Sequence, residues 1–526
     1  MERVIALWSF PALTFLWVRV TLLLLIIGFC FARAYIGLTG TQGYSHDAFM
    51  LLDGAWRMLN GQRPHIDFYS HVGVLTFVPT LVGFWMTHGM PAAFGYGQAL
   101  SGLLVGAWAY LLCRTRLNDV STVLMCLAVT VITATPSALG FQPLVVVPAM
   151  TYNRCGYAIF ALILAEALGE PKEDRKADDF WGGVSTGLAL SFLFFLKITY
   201  FAFAVFFLAI IVSLRPRTRR SWTGLLAGFS ALSLSLCAYL GFNLMPMFSD
   251  LATVARSKHL HFDWYTFDVI LELGGAVAVL SLMGAAVLVF TNRPRSAKVI
   301  AIGGLTVCSI GVMMIVGNYE QSGFPLAAFV AIIVADAVTS RAQPLRGSAQ
   351  ALQVFALLLS GVFVLVLLGT DAITMPYALA VRLIRAPRAI GLATPKLRTF
   401  VPVDGDQPYA NFVNDGLRLV SQYRKPGESI MSLDFTNPFS YGLGAKPAPG
   451  GTTVLQFNTT FNARWRQTAE SLFGSADLVA VPKPGAFSDT SLEYSIAPIY
   501  GTYLESHFKL IGKSRDWRLY RRNGSV

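Results

Sequence analysis

Asp47, Asp53 and Asp67 fall, with His46, His65 and His71, inside one stretch from Gly43 to Phe77, GYSHDAFMLLDGAWRMLNGQRPHIDFYSHVGVLTF, bounded by hydrophobic runs. A chain that is 54% hydrophobic and only 13% charged has few other places for polar chemistry, so this stretch is the candidate active-site loop. A carboxylate near the start of a helix at a lipid–water boundary, beside a histidine, can take a proton from an acceptor hydroxyl. Asp47 fits that description, and it fits equally a helix N-terminal carboxylate that interacts with the dipole. Asp53 lies in the same helical pattern and would orient or solvate. Asp67, in Pro64-His-Ile-Asp-Phe-Tyr69, suits turn capping.

The elements that must position these residues are mostly membrane spans. Apolar runs recur at about 12–38, 95–113, 119–138, 155–169, 182–199, 200–215, 222–242, 269–291, 299–316, 322–339 and 350–369, which predicts about eleven crossings. The expected fold class is therefore a polytopic α-helical membrane protein, with a retained first span because no small-residue cleavage site follows it. The formal charge of +12 is concentrated in connectors such as Arg215-Pro-Arg-Thr-Arg-Arg220, which read as topology determinants and not as a nucleic-acid surface. Arg114 and Arg116, Lys172–Lys176, Arg215–Arg220, Arg293–Lys298 and Arg341–Arg346 share one side only if Val72–Thr87 does not cross. That segment is read as a membrane-hugging or re-entrant helix. The N-terminus is then cytoplasmic, and the loop 39–94, the seven histidines and the C-terminal tail lie outside. The six cysteines fall within or beside spans and suggest neither a disulfide framework nor a cysteine metal site.

From about Thr370 the apolar runs shorten and turn signals appear at Lys425-Pro-Gly427 and Ala448-Pro-Gly-Gly451, with strand-like runs at Ser429–Leu433 and Leu478–Val481. The expected division is a transmembrane module over 1–369, a linker over 370–399 and an extracytoplasmic α/β domain over 400–526. Arg382, Arg385 and Arg388 recur at helical spacing in the linker, as in a basic helix on anionic headgroups or an ordinary linker helix.

The series Asp47-Ala-Phe, Gly54-Ala-Trp-Arg-Met-Leu-Asn-Gly61-Gln-Arg-Pro64-His-Ile-Asp67-Phe resembles the first extracytoplasmic loop of the GT-C glycosyltransferases. These include protein O-mannosyltransferases, aminoarabinose transferases and lipopolysaccharide-core sugar transferases. His65 stands where tyrosine is common in that pattern, and Ala48 where glutamate is frequent. The resemblance implies a bacterial inner-membrane enzyme in which Asp47 activates the acceptor, a lipid, polysaccharide or protein, and a polyprenyl-phosphate-linked sugar is the donor. His46, Asp53, Asp67 and His65 would then line the substrate site.

A departing lipid phosphate needs cations in a partly dry site. Lys197, at the outer end of a span, and Arg256 and Lys258, in Ala255-Arg-Ser-Lys-His-Leu-His-Phe-Asp-Trp-Tyr265, stand on the expected side, although snorkelling and solvated decoration explain such residues equally well. Asn153 and Arg154 occupy the region where several relatives carry a second acidic, metal-linked site. They argue instead for phosphate or hydroxyl recognition, and a helix cap explains Asn153 equally. No cofactor is required by the sequence. A divalent metal would need His46, His65 and His71 to converge, since their spacing matches no short motif. Tyr319 and Glu320, in Gly317-Asn-Tyr-Glu-Gln-Ser-Gly323, resemble a polar loop of the same transferases that could hold a sugar hydroxyl, or simply make a turn. Neither a Walker pattern nor Gly-x-Gly-x-x-Gly is present, which fits a lipid-borne donor. The rival reading is a transporter or flippase of lipid-linked glycans, and against it mid-span charges are sparse and no inverted repeat is visible.

Overall fold

The computed structural model describes residues 12–42, 44–90, 92–137, 146, 148, 151–172, 176–258, 294–318, 324–339, 348–486 and 490–524. The chain is mainly helical. In order come α1 (Ala12–Ile36), α2 (Asp47–Leu59), α3 (Val78–Thr87), α4 (Ala93–Cys113), α5 (Asp119–Ala134), α6 (Thr151–Leu168), α7 (Lys176–Leu196), α8 (Ile198–Leu214), α9 (Arg219–Tyr239), α10 (Met245–Ser257), α11 (Pro294–Asn318), α12 (Phe324–Thr339) and α13 (Ser348–Ala380). Among the described residues, four helical stretches are long and apolar enough to cross a membrane, α4, α7, α9 and Leu357–Arg388, and six more apolar helices are shorter. The expected span at 269–291 lies outside the described residues. α3 has 10 residues, about 15 Å of rise against a hydrocarbon core of about 30 Å, so it is too short to cross.

The bundle has two chemically distinct ends. At one, Glu166 is held by Arg116, Arg217 and Thr186, Lys172 donates to the Arg114 carbonyl, and the Asn118 N–H donates to Asp336 at 2.6 Å. The connectors that carry Arg116, Lys172 and Arg217 meet here. At the other end, Gly73 N–H and Thr76 Oγ1 donate to the Leu196 carbonyl, fixing the 43–94 loop onto the turn between α7 and α8. That turn is the single residue Lys197, in extended conformation with φ −160°.

α7 and α9 run parallel, with Thr218 bonded to Asp179 near their starts and Ser191 to Ser233 further along. Their approach is close because glycines face backbone. A Cβ on Gly187 would lie 2.0 Å from the Leu225 carbonyl oxygen, and one on Gly224 2.1 Å from that of Phe180. Small residues of this kind let helices pack where lipid offers no hydrophobic drive. Gly187→Ala is expected to destabilise by about 1–3 kcal/mol through overpacking, whereas Gly361→Ala, with nothing within 4 Å of the new carbon, is expected to be neutral or better. Thermal melts of the two variants in detergent check this.

Beyond α13 the chain enters a C-terminal lobe of α14 (Gln407–Tyr423), α15 (Thr490–His507) and a small sheet. Its strands are β3 (Ile430–Ser432), β4 (Leu478–Pro482), β5 (Phe508–Lys513) and β6 (Trp517–Arg522), in the order β3-β4-β6-β5, parallel at β3·β4 and antiparallel elsewhere. Two further strands, β1 (Thr39–Thr41) and β2 (Val401–Pro402), pair in parallel and tie the start of the 39–94 loop to the entrance of the lobe. The loop and the lobe also share one hydrophobic core. Phe49, Leu52 and Ala55 of α2 pack with Phe400, Phe412, Phe439 and Trp517. The lobe is therefore seated on the loop that carries the acidic residues.

Candidate active site

α2 begins at Asp47, whose carboxylate in the first turn suits the positive end of the helix dipole, and it ends at Asn60 before Gly61, which takes φ +84° to make the turn into Pro64. Between these limits the helix buries nearly every side chain, so the polar groups on it are either paired or pointed at the site. Asp53 is wholly buried and accepts from Arg57 Nε at 2.8 Å. Arg57 Nη1 goes on to Gln62 Oε1 and to the carbonyls of Ala448 and Gly450, which makes it a strut between loop and lobe. Asp67 caps its own turn, accepting from Arg63 N–H at 2.7 Å and from Arg63 Nε at 3.3 Å.

Asp47 is half-buried, with His46 Nε2 3.4 Å away. Burial pushes its carboxyl up to about 6, His46 opposes the rise, and Asp406 adds to it. The lobe forms the other wall. The His46 ring meets Phe435 edge-on at 4.6 Å and Tyr409 at 6.0 Å, and Thr436 Oγ1 donates to the His46 carbonyl. Burial, with Asp434 second, holds the Tyr409 phenol well above its usual range, so it stays protonated. A small cleft along the same seam is lined by Arg57, Ser432, Asp434, Thr436, Asn437 and Thr452.

A second, cationic group gathers where α7 turns into α8. Lys197 Nζ donates to Asn153 Oδ1 at 2.8 Å and lies 5.3 Å from the Tyr152 ring centre. Tyr152 packs against both the bundle core and the core shared by loop and lobe. His71 stands close by. Burial, with Lys197, His65 and Lys258 adding, drives its imidazole down to about 3, so it is neutral at ordinary pH. His65, at φ +68°, places Nδ1 2.8 Å from Asp250 of α10, which also accepts from the Ser70 N–H. Among the described residues His65 Nε2 and His71 Nδ1 are buried with no hydrogen-bond partner. Such orphaned nitrogens beside lysines are where an incoming oxygen would be held.

The fold thus brings His65, Lys197, Asn153 and Lys258 together around His71, and sets Asp47 with His46 against the lobe. It turns other expected site residues elsewhere. Arg154 is buried, its Nη2 donating to both carboxylate oxygens of Asp371 at 2.7 and 2.6 Å, and it also donates to the carbonyls of Ile132 and Ser137. Arg256 is stacked over Trp465 of the lobe at 4.5 Å. Tyr319 and Glu320 lie outside the described residues. His46 belongs to a different group from His65 and His71, and among the described residues no three His, Cys, Asp or Glu side chains are grouped to hold a metal. Asp250, Asp371, Asp406 and Tyr409 were not singled out by sequence. Asp250 carried a usable signal, since it precedes Arg256 in the same helix.

No family model and no curated sequence matches the chain. Two crystal structures of ArnT from Cupriavidus metallidurans share its fold. The ligand-free form is 13% identical, covering 96% of this chain and 97% of its own, with a TM-score of 0.52. The form bound to undecaprenyl phosphate is 12% identical, covering 97% and 98%, with a TM-score of 0.52. The likeness is one of fold: over nearly the whole chain the protein shares the architecture of those two structures, mainly helical with a small sheet domain at the C-terminus.

Proposed function

We propose that this protein is a membrane glycosyltransferase that moves a sugar from a polyprenyl phosphate to a lipid, polysaccharide or protein acceptor. Asp47 takes the proton from the acceptor hydroxyl, whose oxygen then attacks the anomeric carbon. The bond from that carbon to the phosphate oxygen breaks, and the polyprenyl phosphate leaves with the electron pair. Lys197 and Lys258 meet the charge that develops on it, while neutral His71 offers an N–H to a phosphate oxygen. Asn153 and His46 shape the rim, and the paired Asp53 and Asp67 hold the walls. The reaction lies on the periplasmic face of a bacterial inner membrane, with the N-terminus cytoplasmic and the lobe outside.

The observation that carries this reading is a half-buried carboxyl raised to about 6 in the loop at the same end of the bundle as the lysine and histidine cluster. The fold supports it, being that of a protein solved with undecaprenyl phosphate. The test is to reconstitute the protein in liposomes with a panel of undecaprenyl-phosphate-linked sugars and a membrane-lipid acceptor extract, and to follow release of undecaprenyl phosphate by mass spectrometry. Wild type is expected to release it, and Lys197→Met to do so about 100-fold more slowly, the cost of removing one group that stabilises developing charge. Equal rates for the two would remove Lys197 from the leaving-group site.

A further inference from the structure

Asp406 stands at the N-cap of α14, where an aspartate ordinarily accepts from the first N–H groups of its own helix. It makes no such bond. Its Oδ2 instead reaches across the seam and accepts from the Ser45 N–H at 3.0 Å and from the Ser45 hydroxyl. The receiving end is equally unusual, because His46, at the N-cap of α2, makes no side-chain cap bond either. A cap that one helix forgoes is thus spent two residues from Asp47, at the start of another helix 361 residues away in sequence. Thr436, also of the lobe, holds the next carbonyl, that of His46.

We propose that Asp406 is a positioning residue of this site: the lobe fixes the Ser45–Asp47 turn through it and sets a second carboxylate beside the one that works as base. This rests on the reading of Asp47 as the base. The groups that face Asp47 are His46 on its own helix, with Asp406 and Tyr409 from the lobe, and Asp434 behind Tyr409. Like charges close together disfavour ionising both, so Asp406 makes Asp47 a stronger base than it would be alone.

Labelling with dicyclohexylcarbodiimide, which reacts with protonated carboxyls, reads this without any substrate. The full-length protein in detergent is labelled across a pH series, and the adduct at Asp47 is quantified by peptide mass spectrometry. In Asp406→Asn, which keeps an acceptor for Ser45 and loses only the charge, the midpoint of labelling is expected to fall by about one pH unit. An unchanged midpoint would overturn the proposal, since a purely structural contact would not move it. Should Asp406→Asn be lost from the membrane fraction, Asp406→Ser, which keeps a hydroxyl oxygen at the N-cap of α14 and removes the charge, gives the same reading: the midpoint falls, whereas a fixed midpoint again overturns it. The two readings separate cleanly. A shifted midpoint in Asp406→Asn together with undiminished transfer by Asp47→Asn would leave the coupling standing and remove the base assignment.

Discussion

Asp47→Asn is expected to lower sugar transfer by roughly 10²–10⁴-fold, the usual worth of a positioned general base, while the protein still inserts and melts as wild type does. Asparagine preserves the shape of the side chain at the first turn of α2 and removes only its capacity to accept the proton. The pH profile supplies a second reading. Burial raises the Asp47 carboxyl to about 6, and only the ionised form is a base. Wild-type turnover should therefore rise with pH through about 6 and level off above it. Release of undecaprenyl phosphate from the lipid-linked donor measures both effects. Full turnover by the asparagine variant would require another base.

The second large effect is structural. Arg57→Met removes the guanidinium that satisfies Asp53, Gln62 and two lobe carbonyls at once. Asp53 is left as a buried carboxylate with no countercharge, a loss of about 3–5 kcal/mol for a broken buried pair. Burial already raises the Asp53 carboxyl and Arg57 is what opposes it, so in the variant Asp53 takes up a proton at higher pH. The melting temperature should fall, and limited proteolysis should reach the connector between α13 and the lobe. Adding Asp53→Asn should recover part of the loss, because the unpaired charge is the costly component and the missing lobe contacts remain missing. A single variant that melts with wild type would mean that the seam does not depend on this strut.

Much of the helical order was legible because each helix depends on local composition: an apolar run bounded by basic connectors or turn residues announces itself. The amphipathic helix after Asp47 and the Gly-Gln-Arg-Pro turn were readable for the same reason. The pairings that build the site were not. His65 meets Asp250, Arg154 meets Asp371 and Ser45 meets Asp406 across 185, 217 and 361 residues, and nothing in local periodicity specifies such partners. Arg154 shows the cost of that blindness. Read alone it resembles a phosphate ligand, yet its donors are turned to a carboxylate that lies beyond the expected end of the last span. α13 runs on to Ala380, so Asp371 belongs to the helix and not to a linker.

The core shared by the 39–94 loop and the lobe also sets a timetable for making the protein. Ser45 leaves the ribosome 361 residues before Asp406, which at 5–20 residues per second is an interval of roughly 20 to 70 seconds. Throughout it, the apolar face of α2 has no lobe to cover it and Asp47 has no second wall. The portion synthesised early is thus among the last to be finished, and the seam around Asp47 closes only when the lobe has folded.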